Sequence, residues 1–451
     1  MSRPLTGTRN NRRFSPSLEA ATVLALWRAR TCFVLALIPF LSASAFAGLA
    51  GFHDPEFEKY PLGAWMTAGT QTHLRWRVEI PTPELSTHQR LMMRIITRVD
   101  GREIEKRRAG KGFLTLMQVQ DSAGHTWQNH AELDFKNIHQ NVNQSDFTFT
   151  HFAFVLPGDY TVTVAVCDTV TLEHSVIVRK VHVNAPRTEP FPNAWEGLPP
   201  VEFITSLDGP PDVWYLPEIE SHLNLPVRSS RPLHIQILVN TTPSERAAAS
   251  ITTIRRNMSL SIPAMKILSQ LRIPGSTIDT ALLDLTHRRV PFEQKAVNRL
   301  EWSNMRRYFA DAQPAMVDVS ALQGQWKMRP FFWDEVTRRL HRDGDAIPIV
   351  IVLSGPAFFG NQESVEPSHL DPESGRRLFY IRYRTPSIVR PQHVRVRPGM
   401  KPPFPVPELD PLPLDDLERT VEPLGARIFD ATSPDQFRRV LAAVLEQISK
   451  L

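Results

Sequence analysis

Leu233–Ser244 reads LHIQILVNTTPS, an apolar run rich in Ile that stops abruptly in a polar loop. A short run of this kind is the pattern of a strand buried in a parallel sheet. The segment that follows, Glu245–Leu260, is built of helix formers and predicts a return across the sheet. Asn240, Thr242 and Ser244 then project oxygens from the carboxyl end of the strand, where open α/β sheets hold their ligands.

Outward from this stretch, residues 233–451 alternate strand and helix patterns. Strands are predicted at Leu233–Val239, Thr277–Thr286, Ala315–Val319, Ile347–Leu353, Leu378–Thr385 and Arg427–Asp430, with amphipathic stretches at Glu245–Leu260, Phe292–Phe309 and Arg329–His341. The last helix has the clearest start. Ser433 caps it, Pro434 takes the first helical position, Gln436 completes a capping box, and Phe437, Val440, Leu441, Val444, Leu445 and Ile448 form one apolar stripe. The expected fold class is α/β, a doubly wound, mostly parallel sheet, preceded by an all-β sandwich.

That sandwich is predicted over residues 70–185. In Leu156–Val166, LPGDYTVTVAV, a Pro-Gly-Asp turn feeds a strand with Tyr160, Val162, Val164 and Val166 on one face, and Ser175–Val183 follows as its hairpin partner. Further strands are expected at Thr72–Ile80, Leu91–Arg98, Gly112–Val119 and Phe147–Val155, a spacing of immunoglobulin-like or fibronectin-like type. The basic run Arg102–Lys111 reads as a solvated hairpin. Residues 186–232 are a Pro-rich connection, but Trp195, Phe203, Trp214, Tyr215 and Leu216 make it one that packs on a surface. A second Pro-rich stretch, Pro391–Pro413, is an insertion in the α/β part and reads as a surface loop or a partner-binding element.

The chain of 451 residues is too long for one core. At its start, Arg28 and Arg30 precede the apolar Cys32–Phe40 and the small residues ending Ala45-Phe46-Ala47. Residues 1–47 therefore read as a secretory signal peptide, with an uncleaved membrane anchor as the competing reading. Export to the periplasm or the extracellular space follows from cleavage, and membrane attachment from its absence. The formal net charge of +5 belongs to this leader, which holds six arginines against one glutamate. The remainder carries 46 basic and 46 acidic residues and shows no basic stripe, which argues against nucleic acid as a partner. Of the two cysteines, Cys32 lies in the leader, leaving Cys167 as a small core residue with no disulfide partner.

The phrases LPGDYTVTVAV, LHIQILVNTTPSERAA, AIPIVIVLSG and GARIFDATSPDQFRRVLAAVLEQI together resemble bacterial exported proteins of the von Willebrand factor type A-related class, with a β-sandwich ahead of the A domain. The resemblance implies an adhesion-type or other protein-interaction role with a protein partner. In members that bind metal, a D-x-S-x-S loop supplies a carboxylate and two hydroxyls, and a Thr from another loop and an Asp after a later central strand complete the shell. Here Asn240, Thr242 and Ser244 stand in that loop, and the later strand ends Leu353-Ser354-Gly355, which makes Ser354 the counterpart of the second Asp. Magnesium prefers hard oxygen ligands including one or two carboxylates, so the motif reads as degenerate and no cofactor is expected. Asp318 and Glu245 are the acids that could restore the lost charge. Asn240, Thr242, Ser244 and Ser354 are then candidates for contacting a partner, or else caps of the loop and the following helix.

No H-E-x-x-H, G-x-S-x-G, P-loop or dinucleotide glycine pattern occurs. A non-enzymatic protein is the expectation. Its rival is a periplasmic hydrolase with Ser354 as nucleophile, which requires a histidine and an acid to converge on that hydroxyl. His125 and His130 in HTWQNH read as ordinary surface residues, and Asp343 and Asp345 in HRDGDA as part of a turn.

Overall fold

Alternation along Leu91–Asp100 buries Leu91, Met93, Ile95, Thr97 and Val99 on one face, as the period of two demands. This strand, β2, lies between β1 (Trp76–Glu79) and a later partner. The strands that follow are β3 (Gly112–Asp121), β4 (Thr126–Asp134), β5 (Asp146–Val155), β6 (Gly158–Asp168), β7 (His174–Val183) and β8 (Val201–Phe203). The computed structural model describes residues 53–68, 74–138, 141–186, 189–204, 221–242, 251–311, 325–341, 344–359, 377–383 and 415–451. The leader, Ser244, Glu245, Asp318, Ala315–Val319, Asp343 and the Pro391–Pro413 stretch lie outside them.

Two antiparallel sheets result, one ordered β1-β2-β5-β8 with Glu84–Leu85 also paired to β2, the other β4-β3-β6-β7. They share one core, in which Met93 and Ile95 meet Met117, Val119, Trp127, Val162 and Val164. The outer face of the second sheet is also covered. Phe57, Leu62 and Trp65, from the helices Glu56–Lys59 and Leu62–Ala68, pack on Leu114, Leu116, Ala165 and Cys167. That second cover leaves β3 buried on both sides and pushes the Cys167 thiol up to about 12, chiefly through desolvation. The run after β2 is not a hairpin but a helix, Gly101–Lys106, because the Asp100 carboxylate accepts from the Arg102 backbone N–H at 2.9 Å and caps it.

The rest of the chain builds a six-stranded sheet from β9 (Leu233–Asn240), β10 (Thr277–Asp284), β11 (Arg289–Gln294), β12 (Ile347–Ser354), β13 (Leu378–Tyr383) and β14 (Arg427–Ala431), in the order β11-β10-β9-β12-β13-β14. Its helices are α1 (Ile251–Leu268), α2 (Trp302–Asp311), α3 (Met328–Leu340), α4 (Asp416–Val421) and α5 (Pro434–Ile448). Ile262, Met265 and Leu268 of α1 and the whole predicted stripe of α5 pack on one face of the sheet. Phe332, Trp333 and Val336 of α3 and Leu417 and Val421 of α4 pack on the other.

The expected class, a doubly wound, mostly parallel α/β fold, is not the class of this chain. More of the described residues lie in strands than in helices, and eight of the thirteen strand pairings among them are antiparallel. The physical reason is connection length. Adjacent strands joined by a few residues can only turn back, whereas a parallel neighbour needs a crossover of a dozen or more. Even in the last sheet, four residues separate β10 from β11, and the two run antiparallel. Part of the stretch expected as helix, Phe292–Gln294, is therefore edge strand, and the helix begins only at Trp302. In the other direction α1 runs past Leu260 and through Pro263 to Leu268. Burial of Ile262, Ala264, Met265, Ile267 and Leu268 offsets the usual proline penalty of about 3 kcal/mol.

The sandwich and the six-stranded sheet are joined by a polar clasp. Arg438 of α5, 3 % exposed, donates to the Glu189 carboxylate at 2.6 Å and to the Gln89 carbonyl at 3.4 Å. Its guanidinium lies over the rings of Phe191 and Trp195, and the Trp195 indole donates to the same Gln89 carbonyl at 2.9 Å. Arg438→Met keeps the stem but strands Glu189. We expect a loss of about 3 kcal/mol in urea unfolding, with the two halves no longer melting in a single transition. An unchanged midpoint would show that the clasp does not hold the halves together.

Candidate functional site

The strand β9 is less apolar than its periodicity suggests. Leu233, Ile235, Ile237 and Val239 enter the core under α1 and α5, while His234, Gln236 and Asn240 alternate with them toward α3 and are all buried. A buried polar group must find a partner or lose several kcal/mol, and each of these does. His234 pairs with Asp279 at 2.7 Å, Gln236 exchanges hydrogen bonds with Arg339, and Asn240 reaches Ser354.

The last of these pairs marks the carboxyl ends of the two central strands. Val239 lies opposite Leu353 in the parallel register, which sets Asn240 beside Ser354. The Asn240 amide donates to the Ser354 hydroxyl at 2.9 Å, and its carbonyl accepts from the Thr242 backbone N–H at 2.9 Å. Thr242 Oγ1 accepts from the Leu285 N–H at 2.7 Å, tying this loop to the end of β10. Ser354, fully buried, donates in turn to the Gly355 carbonyl at 2.6 Å. Three of the four predicted residues are thus brought together. They are buried and satisfied by one another, not displayed to solvent; Ser244 lies outside the described residues.

Beside them stand three residues that sequence reasoning did not single out. Tyr380 of β13 donates to the Asp415 carboxylate at 2.7 Å. Asp415 also accepts from the backbone N–H groups of Ala357 at 3.0 Å and Leu417 at 3.1 Å, and so caps α4. Arg382, opposite Ser354 in the register, binds Asp430 at 2.7 Å and pairs with Glu418 and Asp415. Burial drives the Tyr380 phenol well above its ordinary range, and the adjoining Asp415 charge adds to this. Burial also raises the Asp415 carboxyl, against the opposing pull of its hydrogen bonds and Arg382. The available signal was the Tyr and Arg embedded in the apolar LFYIRY, together with the Asp415-Asp416 pair ahead of LERT.

The donor set bears directly on a divalent cation. Asn240, Thr242 and Ser354 offer neutral oxygens already engaged with one another or with the Leu285 and Gly355 backbone, and the neighbouring Asp415 carboxylate is spent on Tyr380 and a helix start. Among the described residues no group of three His, Cys, Asp or Glu side chains converges. These donors do not fit magnesium, which takes one or two carboxylates in an octahedral shell. Nor do they form a nucleophilic triad. The Ser354 hydroxyl meets an amide, a peptide carbonyl and the Tyr380 phenol, with no imidazole among its described partners. His125 pairs with Asp121 and His130 with Asp54, away from this site.

No helix among the described residues is long and apolar enough to cross a membrane. No family model matches the chain, and no curated protein matches it.

The Asp415 carboxyl gives a pH signature. A carboxyl whose folded pKa lies above its unfolded value contributes stability that is full below about pH 4 and is lost as pH rises through the folded pKa. The unfolding free energy of the wild type minus that of Asp415→Asn should therefore fall as pH is raised from 3.5 to 7. A difference independent of pH would place the carboxyl in water.

Proposed function

We propose that the protein is an exported, non-enzymatic interaction module that meets a protein partner at the carboxyl-end face of the six-stranded sheet, without a divalent cation. The observation that carries this reading is the Asn240–Ser354 hydrogen bond. It joins the ends of two adjacent central strands through groups that could have been ligand or nucleophile, and commits both to each other. The network below, from Tyr380 through Asp415 to Arg382, supports a rigid platform under the loops that leave this face. The sequence phrases shared with exported von Willebrand factor type A-related proteins favour the same face. The balanced charge of residues 48–451 favours a protein partner over nucleic acid.

Two measurements test it. Millimolar magnesium or manganese should leave the melting temperature within about 1 °C of the metal-free value, since a cation that binds only the native state raises it. A rise that disappears in Asn240→Ala would overturn the metal-free reading. Second, a photoreactive residue at His287, exposed in the turn after β10, should give a discrete protein adduct in cells that export the chain. The same probe at Arg228, exposed ahead of β9, should not. Adducts at both positions or at neither would sink the assignment of this face.

A further inference from the structure

A cavity of about 610 Å³ opens at the amino end of the six-stranded sheet, where the short parallel ribbon of Leu225–Pro226 and Leu271–Arg272 meets the start of β10 and the turn after β11. Small-ligand sites span about 300–1,000 Å³ and join an apolar wall to a few convergent polar groups. Here Val227, Leu271, Ile278 and Val297 are buried and form the floor, while the exposed Arg228 and Arg272 stand at the rim. We propose that this cavity binds an amphipathic anion, its apolar chain lying on the floor and its carboxylate or phosphate head held by Arg228 and Arg272.

The walls are fixed by hydrogen bonds of the protein itself. The Val227 N–H donates to the Arg272 carbonyl at 3.0 Å, which carries the ribbon one residue beyond Pro226 and brings the two arginines onto adjacent segments. On the other side the Val297 N–H donates to the Ile278 carbonyl at 2.7 Å, and the Ala296 N–H to the Asp279 carboxylate at 2.9 Å. Together they hold Ala296 at φ 48°, a left-handed backbone that a residue with a Cβ adopts only under constraint. A wall already in place costs a ligand little ordering.

The charge is one-sided. No Asp or Glu is among the residues lining the cavity, and Asp279, one step past Ile278, is turned to His234 and the Ala296 N–H. Among the described residues neither the Arg228 nor the Arg272 guanidinium makes a hydrogen bond or an ion pair. Each presents a planar fork of donors that matches a carboxylate or phosphate and keeps its charge at any working pH. Two such forks over an apolar floor select a ligand with both characters. A bare oxyanion leaves the floor wet, and an uncharged apolar molecule leaves both guanidiniums to water. The cavity is at the opposite end of the strands from the face proposed above to meet a protein, and a failure here leaves that reading untouched.

The test is isothermal titration calorimetry of the full chain with octanoate and with octyl phosphate, acetate and octanol serving as controls. Octanoate or octyl phosphate should bind saturably, one molecule per chain, with a Kd below about 1 mM. Acetate lacks the chain and octanol the charge, so each should bind at least about tenfold more weakly. Arg228→Gln and Arg272→Gln should each weaken binding about tenfold, and, as changes to exposed side chains, leave the melting temperature within about 2 °C. Binding of octanoate alone assigns a carboxylate head, of octyl phosphate alone a phosphate, and of both an unselective oxyanion site. The proposal is overturned if neither amphiphile binds saturably, or if acetate or octanol binds as tightly as they do. Full affinity in the Arg228→Gln, Arg272→Gln double variant overturns it as well.

Discussion

The desolvated polar stripe of the strand Leu233–Asn240 is the constraint around which the six-stranded sheet is arranged. Every residue of that strand is buried, so its peptide groups must be paired on both sides, and β10 and β12 do this in parallel register. Its side chains impose a second condition. His234, Gln236 and Asn240 have no water to turn to, and Asp279, Arg339 and Ser354 must stand opposite them. A one-residue slip would carry these groups into the apolar layer under α1 and α5 and bring Ile235 and Ile237 against Arg339. The polar pairs thus specify register, and the apolar layer supplies most of the burial energy.

The same condition explains the strand-end network. Ser354 cannot be bonded to Asn240 unless β12 neighbours β9, and Arg382 cannot reach Asp430 and Asp415 unless β13 lies between β12 and β14. Site and sheet order are one arrangement. At these strand ends the chain keeps neutral amide and hydroxyl groups, and the neighbouring Asp415 carboxylate serves a tyrosine and a helix start.

Much of the local structure was legible in the sequence. The strand at Leu233, the strand after Gly158 and the helix at Pro434 each declare themselves through periodicity and punctuation within a dozen residues. Ser433 caps the last helix as read, accepting from the Gln436 N–H at 3.2 Å. The Gln436 side chain, however, reaches back to the Thr432 N–H instead of that of Ser433. Beyond the hairpin of the strand after Gly158 with Ser175–Val183, what could not be read was pairing. Antiparallel edges, the cover that Phe57 and Trp65 place over β3 and β6, and the meeting of Tyr380 with Asp415 all depend on neighbours distant in the chain. The pattern of LHIQILVN conveyed burial but not that three of its eight side chains would need buried polar partners. Asn240 and Ser354 were found because a loop motif pointed to them; Tyr380 and Arg382 looked like interruptions of an apolar strand.

The clasp at Arg438 also governs when the molecule can be completed. Its partners Gln89 and Glu189 belong to the first half of the chain, and Arg438 sits in the last helix. A chain emerging amino end first can assemble the sandwich from contacts internal to it, but the seam between the halves stays open until the final helix is made. Phe191, Trp195 and the Gln89 carbonyl wait unsealed through that interval. Sealing the seam therefore waits on α5, and a substitution that unfolds α5 would bare Phe191 and Trp195 together.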